Sequence, residues 1–220
     1  MANDERCDPK RLPVLTLRLA RVDGTLAFES NVHCDRRARS VSLETCRACE
    51  RCTGVGSEPG STWIECRPPS DDQADRAPTS VGRALRRGIA AIEEDVPLKD
   101  VVAMFVEQGI PLVVVVDSER HVVGVIRESD LLAEIRAMSD DDAAGRPLAW
   151  RIVGRSPAST AMTWIRTVPE ATNLEDALRE MAVAHERQIL VVSTSEKPIG
   201  VLLDVDALLA YAAERRVRAT

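Results

Sequence analysis

After residue 80 the apolar positions follow a fixed succession of periods. Leu98, Val101, Val102, Phe105 and Val106 fall at i, i+3, i+4, i+7 and i+8, the spacing of a helix that buries one face, and Pro97 stands at a favoured first-turn position. The period then shortens. Leu112 to Val116 and His121 to Ile126 are β-branched runs on either side of the polar Asp117-Ser-Glu-Arg120, which reads as a hairpin. Leu131, Leu132 and Ile135 open a second helix.

The same order returns 76 positions later. Leu174, Ala177, Leu178, Met181 and Ala182 repeat the first helix, and Thr172-Asn-Leu-Glu175 before it is a capping-box pattern, with Thr172 as the predicted cap. Ile189 to Val192 and Ile199 to Leu203 repeat the hairpin around Thr194 to Lys197, and Leu208, Leu209 and Ala212 repeat the second helix. A short strand precedes each copy, at Ile89 to Ile92 and Ile165 to Val168. Leu98 and Leu174, Val115 and Val191, Gly124 and Gly200, and Asp130 and Asp206 keep one register without a gap, so the duplication fixes the architecture before single elements are assigned.

A strand, helix, two strands and a helix that end in Gly-aliphatic-x-x-x-x-Asp resemble the cystathionine-β-synthase (CBS) domain, and a tandem pair resembles a Bateman module. The residues that carry the resemblance are Gly124-Val-Ile-Arg-Glu-Ser-Asp130-Leu-Leu, Gly200-Val-Leu-Leu-Asp-Val-Asp206-Ala-Leu and Ile110-Pro-Leu-Val-Val-Val-Val-Asp117. The resemblance implies an α+β fold in which two βαββα repeats pack around a pseudo-twofold axis. It implies two clefts that bind adenosyl nucleotides such as AMP, ATP or S-adenosylmethionine, and a flat homodimer formed through the helices near Leu131, Ile135, Leu208 and Ala212. In the family a Thr or Ser three positions before the Asp meets the phosphates, and the Asp holds ribose hydroxyls. Here Arg127 and Leu203 stand at the hydroxyl positions, while Asp130 and Asp206 are kept. Arg127 can still bring charged donors to a phosphate, whereas Leu203 offers no hydrogen bond, so the resemblance favours the first cleft over the second. Each Asp also directly precedes an apolar helical pattern, so a helix N-cap is the alternative reading, more so for Asp206 than for Asp130.

The first 69 residues have a different texture. Val14 to Ala20 and Thr25 to Val32 read as strands joined by Arg21-Val-Asp-Gly24, with its Asp-Gly turn signal. All six cysteines lie before residue 67: Cys7 alone, Cys34 after His33, Cys46-Arg-Ala-Cys49-Glu-Arg-Cys52, and Cys66. In a reducing compartment such a cluster reads as metal ligands rather than a disulfide framework. Cys34, Cys46, Cys49 and Cys66 give the plan of a zinc ribbon, with Cys52 spare. Cys34, Cys46, Cys49 and Cys52 would suit an iron-sulfur cluster, although the usual Cys-Pro ending is absent, and free thiols are the remaining reading. A region with so few large apolar residues needs a staple, so the metal is a fold device in one reading and a metal or redox sensor in another.

The sequence thus divides into a cysteine-rich metal-binding domain (1–69), a proline-rich polar linker (70–79), and CBS repeats at 80–140 and 141–220. The net charge of −6 divides into about +1 for residues 1–69 and −7 for the part after them, which makes that later part a poor nucleic-acid binder. Arg36, Arg37, Arg39, Arg47 and Arg51 allow nucleic acid as a partner of the first part, and the acids among them count against it. The acidic start and the shortness of every apolar run predict a cytoplasmic protein without signal peptide or membrane span. No phosphate loop, dinucleotide fingerprint, nucleophile elbow or zinc-protease motif occurs, and none of the three histidines has the setting of a catalytic base, so an enzyme is not expected. The sequence predicts a regulatory protein: an adenosyl-nucleotide sensor that signals to a partner protein, or a metal- or redox-dependent interaction protein whose CBS pair only dimerises.

Overall fold

The structure is a computed structural model that describes residues 9–67, 79–85, 88–108, 110, 112–140 and 155–218. Cys7 and nearly all of the expected linker lie outside the described residues.

Strand β1 (Lys10–Ala20) and strand β2 (Leu26–Cys34) form the N-terminal hairpin, with Gly24 at φ 80° in the turn and Val14 opposite Val32. Glycine meets no steric penalty at that angle. Strand β3 (Arg39–Ser42) pairs with β2, helix α1 (Leu43–Arg47) follows, and β4 (Cys52–Glu58) and β5 (Ser61–Cys66) form a second hairpin that joins β1 at Lys10–Pro13. Farther along, Leu17–Ala20 of β1 pairs in parallel with β6 (Ile89–Glu93), the first strand of the first repeat. β7 (Leu112–Val116) and β8 (Val122–Arg127) complete an eight-stranded sheet. The cysteine-rich region is therefore continuous with the first repeat through β1.

Helix α2 (Val81–Ala84) leads into the first repeat, which adds α3 (Leu98–Gln108) and α4 (Glu128–Asp140). The second repeat has β9 (Thr167–Pro169), α5 (Leu174–Ala184), β10 (Gln188–Val192), β11 (Pro198–Leu203) and α6 (Asp204–Arg218), its strands ordered β11-β10-β9. The expected βαββα order holds in both copies.

Three details differ from expectation. The cap of α5 is Asn173, whose side chain accepts the Glu175 N–H at 2.8 Å. Thr172 is held in the preceding turn, donating its N–H to Pro169 and accepting that of Val81. Ile165 lies before β9 rather than in it, buried between the repeats. Asp130 and Asp206 are not N-caps, because α4 and α6 start two residues earlier and place each Asp third in its helix.

Packing explains why β1 is shared. Leu15 is 2% exposed and joins the core of the second repeat with Val168, Leu174, Ile189 and Leu202. Leu17 and Leu19 enter the layer between repeats with Ile89, Val114 and Leu190. Burying a leucine contributes about 1.5–3 kcal/mol, so three from one strand anchor it firmly. The cysteine-rich region keeps only a small cluster of its own around Leu12, Val32, Cys46 and Ile64.

Candidate functional site

At the start of α4 the Asp130 carboxylate turns back and accepts the Arg127 N–H at 3.1 Å. The same oxygen accepts the Thr163 hydroxyl at 3.0 Å, and Arg127 Nη1 donates to that hydroxyl at 3.1 Å. Arg127 also lies 3.7 Å from Asp130 and 3.8 Å from Glu186 of the second repeat. Thr163 is held there by the backbone, exchanging N–H···O bonds of 2.8 and 2.9 Å with Val125. Gly124 makes this approach possible, since a Cβ on it would lie 3.0 Å from the Thr163 carbonyl and 3.1 Å from Met162 Sδ. The motif glycine thus serves to admit the segment that leads into the second repeat.

Arg127 and Asp130, both singled out in the sequence as ligand-binding candidates, lie side by side, and Thr163, which the sequence reading missed, joins them. Its counterpart 76 positions earlier is Arg87, so the repeat gave no signal, and only the β8 contact places a hydroxyl here. An acceptor, a hydroxyl and a guanidinium now share one partly buried site.

The second motif is built differently. Leu203 ends β11 opposite Gln188, and Asp204 takes the Arg187 guanidinium at 3.0 Å. That hydrogen bond, with the Val205 N–H, holds the Asp204 carboxyl below its ordinary value. Asp206 follows in the first turn of α6.

The CBS domain model matches residues 81–137 and 163–213, on the two copies just described. The chain carries a tandem pair of CBS domains. CBS domains are in general regulatory modules rather than enzymes. The pair is similar to the CBS domain of a CBS-domain-containing membrane protein from Sphaerobacter thermophilus, at 26% identity and TM-score 0.50 over 61% of this chain and 90% of that one. It is similar in fold to AcuB from Vibrio cholerae, described as an acetoin utilization protein, at 16% identity and TM-score 0.50 over 65% and 97%. CBSX2, crystallised in complex with AMP, is 25% identical with TM-score 0.46 over 58% and 90%. No curated protein matches the chain. No helix among the described residues is long and apolar enough to cross a membrane.

Beside the CBS pair, five cysteines face one pocket. Cys34 comes from the end of β2, Cys46 from α1, Cys49 from the turn after it, and Cys52 and Cys66 from facing positions on β4 and β5. Successive turns, with Cys49 N–H on the Cys46 carbonyl and Cys52 N–H on the Cys49 carbonyl, curl the C-x-x-C-x-x-C run around the pocket. All four predicted ligands reach it, and Cys52, expected to be spare, reaches it too. Lys10, Arg36, Arg37, Arg51 and Arg67 line it with Asp35. Burial and the neighbouring thiols push Cys46 up to about 11 and raise Cys66. No group of three or more His, Cys, Asp or Glu among the described residues is arranged to hold a metal ion. The sulfurs share a pocket without forming a closed ligand shell.

His33, beside Cys34, points the other way. It is 5% exposed and its Nδ1 lies 3.2 Å from the carboxylate of Glu170, itself 2% exposed, in the second CBS domain. Ser40 donates to the same oxygen from its N–H at 2.6 Å and its hydroxyl at 2.7 Å. Burial pushes the Glu170 carboxyl up, but the bonds from His33 and Ser40 outweigh it and hold the group below its ordinary value. A carboxyl lowered on folding adds stability that is complete above its unfolded value and is lost as pH falls through the lower folded value. Wild type should therefore lose stability on acidification more steeply than Glu170→Gln. Urea unfolding from pH 7 down to pH 3 checks this, and parallel slopes would refute it.

Proposed function

We propose that the protein is a regulatory sensor whose CBS pair binds an adenosyl nucleotide, such as AMP or ATP, in the first cleft, with the second cleft weak or silent. The observation that carries this reading is the Asp130–Thr163–Arg127 cluster. Asp130 offers an acceptor to ribose hydroxyls, Arg127 offers charged donors to phosphate, and Thr163 supplies the hydroxyl that the motif lacks at position 127. Without ligand these groups satisfy one another, so a nucleotide exchanges internal hydrogen bonds for its own. The second cleft has Leu203 where a donor is needed, and Arg187 is engaged by Asp204.

Losing Asp130 should weaken binding about tenfold or more, since hydrogen bonds to charged groups contribute ~1.5–3 kcal/mol. Asp206→Ala removes a favourable charge from the first turn of α6 and should change affinity little. Calorimetric titration of AMP, ATP and S-adenosylmethionine into wild type, Asp130→Ala and Asp206→Ala tests this. Equal losses would refute the asymmetry, and no binding to wild type would leave the CBS pair as a dimerisation module only.

The proposal includes a homodimer through the CBS helices, signalling to a further protein in the cytoplasm. Leu131, expected at the dimer face, is 5% exposed and belongs to the core, whereas Leu132 is 58% exposed. Leu208, Leu209 and Val205 of α6 are exposed as well, so Leu132 replaces Leu131 in the proposed face. The described part of Ile135 is its backbone alone. Light scattering should give a dimer mass at micromolar concentration and a monomer for Leu132→Glu/Leu208→Glu. A monomeric wild type would refute it.

The thiol pocket is proposed to take one metal centre, zinc or an iron-sulfur cluster, through Cys34, Cys46, Cys49 and Cys66. The donor chemistry fits a thiophilic cation, which would stabilise the clustered thiolates and supply the staple that the small local core lacks. The surrounding arginines suit the negative charge of a four-thiolate centre.

A further inference from the structure

The hairpin β2–β3 presents two different surfaces. His33 and Ser40 are direct cross-strand partners, so their side chains project from one face, and the next pair, Cys34 and Arg39, projects from the other. One face carries Cys34 into the thiol pocket. The His33 and Ser40 side chains on the opposite face, with the Ser40 backbone N–H at the edge of the sheet, bond the buried Glu170 Oε2. Glu170 is also tied by its backbone, donating to Val192 of β10 and accepting the Gly82 N–H of α2 at 2.8 Å. Gly82 closes the other wall, because a Cβ there would lie 2.4 Å from His33 Nδ1. Asp35, the residue after Cys34 and also in the pocket lining, reaches Arg83 of α2 at 3.2 Å.

We propose that this hairpin transmits the metal state of the thiol pocket to the second CBS domain, with Glu170 as the receiving group. The inference rests on the metal reading of the pocket given above. Ligation of Cys34 fixes one face of the β2–β3 hairpin at the Cys34–Arg39 pair, next to the His33–Ser40 pair. Interior packing and buried hydrogen bonds do not deform smoothly, so the opposite face is fixed with it. His33 and Ser40 then hold Glu170 in place, and Glu170 stands between β9 and the start of α5. An unligated pocket leaves the cradle free to loosen, and with it the junction of α2, β9 and α5. The protein would thus combine a nucleotide response and a metal response in one CBS pair.

The test is amide hydrogen exchange on the full chain, prepared without oxygen, with and without Co²⁺ as the probe. Thiolate-to-cobalt absorption reports loading independently. The proposal expects exchange at the Gly82, Glu170 and Leu174 amides to slow about tenfold or more on loading, while α3 changes little. In Glu170→Gln and in Ser40→Ala the cobalt spectrum should persist and the slowing at those amides should shrink. A normal spectrum without local slowing overturns the inference alone. Equal slowing everywhere also overturns it, because general stabilisation by a bound ligand would suffice. Absence of the cobalt spectrum overturns the metal reading, and this inference falls with it. Undiminished slowing in both variants shows that coupling does not run through Glu170.

Discussion

Gly88→Ala is expected to pull β1 away from the first CBS domain and to lower stability by about 3 kcal/mol or more, the upper end of over-packing costs. A Cβ at this position would lie 2.0 Å from the Thr16 carbonyl oxygen and 2.8 Å from the Thr16 N and carbonyl carbon. These are backbone atoms of the strand that β6 joins, so no rotamer change relieves the overlap. Either the chain entering β6 moves or β1 does, and both carry the Leu17–Ile89 pairing. For a chain of this size such a loss lowers the melting temperature by roughly 6–12 °C. Gly54→Ala is the control, since its Cβ would meet only the Glu65 carboxylate at 3.4 Å, the far end of a flexible side chain. Thermal unfolding by circular dichroism that found the two variants alike would show that the β1–β6 junction is not under this constraint.

Leu15→Ala should cost about 2–5 kcal/mol, the range for a fully buried leucine. The size matters less than where the cavity opens. Leu15 belongs by sequence to the cysteine-rich region, yet its side chain packs against Leu174, Ile189 and Leu202 of the second CBS domain. Urea unfolding of the variant should remain one cooperative transition, moved to lower denaturant. A loss below about 1 kcal/mol, or the appearance of a separate early transition, would show that β1 stabilises only its own hairpins.

Much of the fold is legible in the sequence because its signals are local. The helix period of Leu98 to Val106 and the β-branched hairpins each depend on neighbours a few positions apart, and the 76-residue register repeats those local patterns a second time. The structure returns them as α3, β7–β8 and the second copy. The same holds for the Asp-Gly turn before β2 and for the closeness of Cys46, Cys49 and Cys52, three residues apart, whereas Cys34 and Cys66 join them only through the pairing of their strands. Thr172 is an instructive miss. The capping-box pattern is real, but Thr172 lends its carbonyl to Val81 of α2, and the cap passes to Asn173. A long-range hydrogen bond decided between two competent residues.

The sequence by itself therefore determined the repeats, the paired motifs at Asp130 and Asp206, and the set of thiols. Tertiary structure alone decided the rest. It gave Asp130 a hydroxyl from Thr163, because Gly124 lets a segment of the second domain lie against β8. It turned Leu131 into the core and Leu132 outward, because one helix position separates the two faces. It joined the cysteine-rich hairpins to both CBS domains, because the alternating leucines of β1 bury more apolar surface against the repeats than their own small module can offer. Alternation states that a strand has a face to hide, but not against what, and the partner is chosen by total burial across the assembled chain.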